Sequence, residues 1–173
     1  KGGKLENKFK AHIDRLNSEQ AKQVTVLSHE RGLFTSTAQT QWSMQPWGIP
    51  GHANMDHQIT HGPLPAGSGA KVHSQVRIDS GNADTNQELL AALHGRPFMD
   101  VVSTFDWGSN SSHQLTSPEL GFMHGKYGIT WGGMKADWSM SADLRSFKGT
   151  TENPSITIKN EADGNLMTLG RTI

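Results

Sequence analysis

From Val24 to Met44 the chain reads VTVLSHE, then RGLF, then TSTAQTQWSM, two β-branched-rich segments meeting at Arg31-Gly32. Thr25 and Leu27 alternate with Val24, Val26 and Ser28. After the corner, Phe34, Ser36, Ala38, Thr40 and Trp42 fall in one phase. A period of two over this length describes a strand with a drier and a wetter side. Gly32 can take a left-handed backbone at the corner without steric cost. The stretch predicts a β-hairpin that later strands extend.

Most of the later chain repeats that pattern. Met55–His61 and Ala70–Asp79 read as strands, the second with Val72, Ser74, Val76 and Ile78 in phase. The run Gln45-Pro46-Trp47-Gly48-Ile49-Pro50-Gly51 reads as loop, because its prolines and glycines cannot continue a ladder. Beyond Phe98 a meander is expected. Val101, Ser103, Phe105 and Trp107 alternate with Val102, Thr104 and Asp106, Gly108-Ser109-Asn110 turns, and Ser112–Thr116 and Tyr127–Trp131 follow. Met134–Arg145 alternates most strictly: Met134, Ala136, Trp138, Met140, Ala142 and Leu144 against Lys135, Asp137, Ser139, Ser141, Asp143 and Arg145. Such alternation implies one buried and one solvated face, as in a one-sided antiparallel sheet. Ser155–Asn160 and Leu166–Ile173 complete the series around an Asp163-Gly164 turn.

Two helices are expected beside the strands. Leu5, Phe9, Ile13 and Leu16 mark an amphipathic helix over about 4–17. Thr85-x-x-Glu88 resembles a capping box opening a second over about 85–94, with Gly95 and Pro97 as stops. The fold class is therefore mainly β (α+β): a single domain over 1–173 with an antiparallel meander sheet and both helices packed on it.

The totals narrow the chemistry. Sixteen basic and 16 acidic side chains give a formal charge of +0, and the Lys and Arg residues are not clustered, so nucleic acid is not an expected partner. Zero cysteines remove disulfides, thiolate zinc sites and cysteine nucleophiles, and are compatible with an oxidising compartment. Nine histidines raise the question of a metal. His57 and His61 on one strand share a face but stand ~13 Å apart, too far for one ion. Ser28-His29-Glu30 places suggestive types consecutively, whereas catalytic triads assemble in space. No catalytic residue, metal ligand or cofactor is assigned, and the chain is read as non-enzymatic.

Two short motifs remain. Arg31-Gly32-Leu33-Phe34-Thr35-Ser36 and, further on, His61-Gly62-Pro63-Leu64-Pro65 resemble the R-G-x-F-[ST]-S and H-G-P-[FL] motifs of the YdgA-like family of bacterial envelope proteins. Gly2-x-x-x-Glu6, leading into the first helix, is similar to the segment after that family's single membrane anchor. The resemblance covers the first third of the chain. Its members are considerably longer, so the chain reads as a portion of a longer, membrane-anchored protein. The family has no assigned function. What the resemblance implies is a location: a periplasmic domain held to the inner membrane of a Gram-negative bacterium by an anchor upstream of Lys1.

Arg31, Gly32, Phe34, Ser36, His61, Gly62, Pro63 and Pro65 thus form a candidate structural motif. The expected role is a binding or assembly module, a homo-oligomer (a dimer first) or a partner of envelope proteins. The alternative is a carrier holding a lipid or other apolar ligand in a curved β-groove, and a metal-dependent hydrolase ranks below both. If Arg31 caps carbonyls of the second motif, Arg31→Ala should cost roughly 1–3 kcal/mol in denaturant melts through acceptors left unpaired. A loss under about 0.3 kcal/mol would mark it as a solvated side chain.

Overall fold

The computed structural model describes residues 24–45, 50–61, 68–152, 155–160, 162–164 and 166–169. The opening hairpin forms as β1 (Val24–Arg31) and β2 (Thr35–Ser43), antiparallel, with a bulge between Val26 and Ser28. Then come β3 (His52–His61), β4 (Ser68–Asp79), helix α1 (Ala83–Ala92), β5 (Met99–Asp106) and β6 (Ser111–Ser117). The remaining strands are β7 (Leu120–His124), β8 (Tyr127–Trp131), β9 (Met134–Met140), β10 (Phe147–Glu152), β11 (Ile156–Asn160) and β12 (Leu166–Leu169).

These build two sheets where one meander with two helices was expected. The larger has the order β1-β2-β3-β4-β5-β6-β9-β10, the smaller β12-β11-β8-β7. Comparing the orders shows why there are two. β7 follows β6 after Pro118, β9 follows β8 after Gly132-Gly133, and β11 follows β10, so three neighbouring strands bend along one crease. Gly133 sits at φ +80°, and a Cβ there would come 2.9 Å from the Ser117 carbonyl oxygen. Only glycine fits that corner without strain. The Gly132 N–H donates to Ser155 O at 2.9 Å, and the Trp131 indole N–H donates to Ser117 Oγ at 2.9 Å, tying the crease together.

One α-helix is present among the described residues; the helix expected over about 4–17 lies outside them. The second expected helix starts earlier than its capping-box pattern suggests. Asn82, not Thr85, is the N-cap, its side chain accepting from the Thr85 N–H at 3.0 Å. Asn is as good a cap as Thr, and an Asp79–Ser80–Asn86 hydrogen-bond cluster fixes it there. Nor does α1 lie on the larger sheet. No residue within it is buried, and it packs against β7 of the smaller sheet. No helix among the described residues is long and apolar enough to cross a membrane.

The larger sheet is one-sided. Directly opposed residues on antiparallel strands point the same way, so the register assigns each face. The dry face carries Ser36, Ala38 and Thr40 of β2, His57 and Ile59 of β3, Val72, Ser74 and Val76 of β4, and Val101 and Phe105 of β5. It continues through His113 and Leu115 to Ala136, Trp138 and Met140 of β9. Burial is deepest over β2–β4, where Ala38, Thr40, Ile59, Ser74 and Val76 are buried, and it fades toward β10, where Phe147 is 68% exposed. The wet face is cross-linked by Gln39–Asp56, Arg77–Asp56, Gln41–Asn54 and His73–Asp100.

Along β9 the burial alternates as the sequence implies, but the strand stops at Met140 rather than Arg145. Polar turn chemistry takes over. Asp143 Oδ1 accepts from Ser141 Oγ and the Arg145 N–H, Ser146 N–H donates to Ser141 Oγ, and Leu144 turns to φ 59° with its side chain exposed. On the dry face Trp138→Asp should lower stability by at least about 2 kcal/mol, since it puts a charge on the less hydrated face and removes the indole packed there. Ser139→Asp, one residue away on the wet face, should stay within about 0.5 kcal/mol. Equal urea midpoints for the two variants would contradict the face assignment.

Candidate functional site

The two sequence motifs meet in space. The His61 N–H donates to the Phe34 carbonyl at 2.8 Å, and His61 Nε2 hydrogen-bonds Ser36 Oγ at 3.1 Å. Gly32 makes the corner, its N–H donating to Thr35 O at 2.7 Å. A Cβ on Gly32 would fall 2.5 Å from that oxygen. Arg31 ends β1 opposite Ser36 and is exposed, as are Leu33 and Phe34. The structure therefore joins the motifs through Phe34, Ser36 and His61; Gly62, Pro63 and Pro65 lie outside the described residues.

The Ser36–His61 pair belongs to a larger arrangement that sequence reading missed. His57 is bonded on both ring nitrogens, Nε2 to Thr40 Oγ1 at 2.9 Å and Nδ1 to Ser74 Oγ at 2.8 Å, making a polar seam across β2, β3 and β4. His113 repeats the arrangement on β5 and β6, Nδ1 to Ser103 Oγ at 2.7 Å and Nε2 to Ser111 Oγ at 2.9 Å. Its ring stacks on Trp138 with centroids 4.9 Å apart and planes 13° from parallel, while Phe105 meets it edge-on at 6.0 Å. All of these side chains lie on the dry face. The available signal was polar residues on the apolar phase of the strands: Ser36, Thr40, His57, Ser74, Ser103, Ser111 and His113.

Each neutral imidazole offers one donor and one acceptor, and each hydroxyl can adopt either role. The pairs are satisfied without a charge. Burial holds the His57 pKa below its ordinary 6.5, against a smaller opposing pull from the Asp56 carboxylate, and burial likewise lowers that of His113. Both rings are kept neutral near pH 7 because a charge on the dry face loses its hydration.

The register does not bring Ser28, His29 and Glu30 together on one face. Ser28, His29 and Glu30 stand opposite Gln39, Ala38 and Thr37, so the sheet sends His29 to the dry face and its neighbours to the wet one. No group of three or more His, Cys, Asp or Glu among the described residues could hold a metal ion. His73 does meet a carboxylate, Asp100 at 2.8 Å, but on the wet face, away from the hydroxyl-bonded imidazoles. On that side β5, β6, β9 and β10 also curve around an open trough of roughly 640 Å³ bordered by Thr104, Gln114, Asp137 and Lys148.

Fold and site together define a one-sided antiparallel sheet protein whose dry face is threaded by hydroxyl–imidazole pairs. The family model described as bacterial protein of unknown function (DUF945) matches residues 1–172, and the chain belongs to that family. No significant match occurs among curated proteins or solved structures.

A pH dependence follows. The unfolded chain binds protons at His57 and His113 near 6.5, the folded protein only below it, so stability rises with pH across that interval. It should be complete above about pH 6.5 and fall as pH drops through the lowered folded values. Urea midpoints between pH 5 and 7.5 should show this slope in the native protein and a shallower one in His57→Gln/His113→Gln. Equal slopes would mean that these imidazoles are not held neutral by the fold.

Proposed function

We propose that the chain is a non-enzymatic binding and assembly module of the bacterial envelope. It works by covering the open part of its dry sheet face with a partner, a second copy of itself first among them. The single observation that carries this reading is the burial gradient: the dry face is closed over β2–β4 and half open over β5, β6 and β9. An apolar face left in that condition gains free energy when covered. The finer assignment to the YdgA-like group rests on Arg31-Gly32-Leu33-Phe34-Thr35-Ser36 and His61-Gly62-Pro63-Leu64-Pro65, and on the contact between Ser36 and His61 that joins them. With that assignment goes a periplasmic location and a tether to the inner membrane.

One observation favours a second reading, an apolar-ligand carrier. Trp138 and Met140 are half-buried, and α1 packs on β7 rather than over them. Among the described residues that side of the sheet is a shallow apolar surface onto which an acyl chain could lie. Likeness to grooved lipid carriers would be one of architecture alone.

Native mass spectrometry separates the readings in one measurement. The assembly module should appear at twice the chain mass with no adduct. A monomer carrying a lipid-sized adduct that organic extraction removes would favour the carrier, and a monomer without adduct would count against both.

A further inference from the structure

Among the outer strands of the two sheets, β10 is the one shaped to take a further strand. β1 carries a bulge, β7 is packed by α1, and β12 has four residues among those described. Bulges, covering elements and short length all blunt a sheet edge. β10 has none of these. It pairs with β9 without interruption over six residues, all exposed, and contains no proline.

The hairpin shows which of its backbone groups point outward. The Ser141 N–H donates to Ser146 O at 3.0 Å, so this pair is of the hydrogen-bonded kind. Such pairs alternate along an antiparallel ladder. Lys148, Thr150 and Glu152 then bond Ser139, Asp137 and Lys135 of β9. The N–H and C=O groups of Phe147, Gly149 and Thr151 face away.

We propose that β10 pairs antiparallel with β10 of a second copy of this chain, about a two-fold axis at Thr150. Opposed residues must share a face, so only registers joining positions of like parity are allowed. With the axis at Thr150, Lys148 stands opposite Glu152 of the partner subunit twice on the wet face. Gly149 stands opposite Thr151 of the partner subunit twice on the dry face, where the outward groups of both residues exchange hydrogen bonds. Moving the axis to Gly149 would set Lys148 against threonine and forfeit both charge pairs. In the Thr150 register the two dry faces become one continuous surface, with the exposed Phe147 side chains beside the seam. The proposal rests on the assembly reading above and names its edge, register and partner.

The test is sedimentation of the full chain at micromolar concentration. Lys148→Glu and Glu152→Lys each create two like-charge contacts per dimer and should weaken dimerisation about tenfold, while the double swap Lys148→Glu/Glu152→Lys should restore it. Thr151→Pro should abolish dimerisation with the monomer's secondary structure intact, because the lost N–H is not used by β9. A dimer unchanged by both single swaps and by Thr151→Pro would overturn the edge while leaving the assembly reading standing. A native protein that is monomeric throughout would overturn both.

Discussion

Everything else in this protein depends on keeping the polar groups of the dry sheet face paired with one another. Eight strands in register expose a surface that must be apolar to cohere, yet Ser, Thr and His occupy many of its positions. Thr40 is 2% exposed and Ser74 7%, and a buried hydroxyl without a partner costs about 1–3 kcal/mol. The imidazoles solve this by bridging neighbouring strands: His57 between β2 and β4, His113 between residues of β5 and β6, His61 back to β2. Because the His57 and His113 bridges are made by neutral groups, the face stays dry there. The depressed pKa values are the electrostatic trace of that constraint.

The second organising feature is the crease. Bending β6–β7, β8–β9 and β10–β11 along one line turns what would be a longer meander into two sheets and gives α1 a surface to pack on. Leu93, buried just beyond the helix end, and Leu120 at the start of β7 anchor this corner. The helix is thereby drawn away from the larger sheet, which leaves the dry face half open on the β9 side. Architecture and proposed role are linked here. A helix lying over Trp138 would have closed the surface on which the binding reading rests.

How much of this could be read from residues varies with the range of the interaction involved. The opening hairpin, the β3 and β4 strands and the alternation of Met134–Met140 are set by local period, and they appear there, with β3 and β4 beginning three and two residues before the expected Met55 and Ala70. The contact between the two motifs was suggested by paired corners. It proved to run through Ser36, Phe34 and His61, with Arg31 standing opposite Ser36 at the strand end. The crease was not legible, because Gly132-Gly133 reads equally as a hairpin turn and only the Ser117 carbonyl behind it reveals the bend. Phe147–Glu152 was missed since FKGTTE lacks an apolar phase, as an outer strand with no residue buried can. The polar seam was visible only as misplaced serines and histidines, and all but one of its hydrogen bonds join residues 10 to 25 positions apart in sequence.

The central claim, one dry and one wet face across the larger sheet, can be tested directly because the chain contains zero cysteines. Single cysteines at positions 135, 136, 137, 139 and 140 of β9 would each report local access to a thiol reagent in the folded protein. The account predicts alternation: rapid modification in Lys135→Cys, Asp137→Cys and Ser139→Cys, slow modification in Ala136→Cys and Met140→Cys, with all five equalised by denaturant. Uniform rates in the folded state, or the opposite phase, would contradict it.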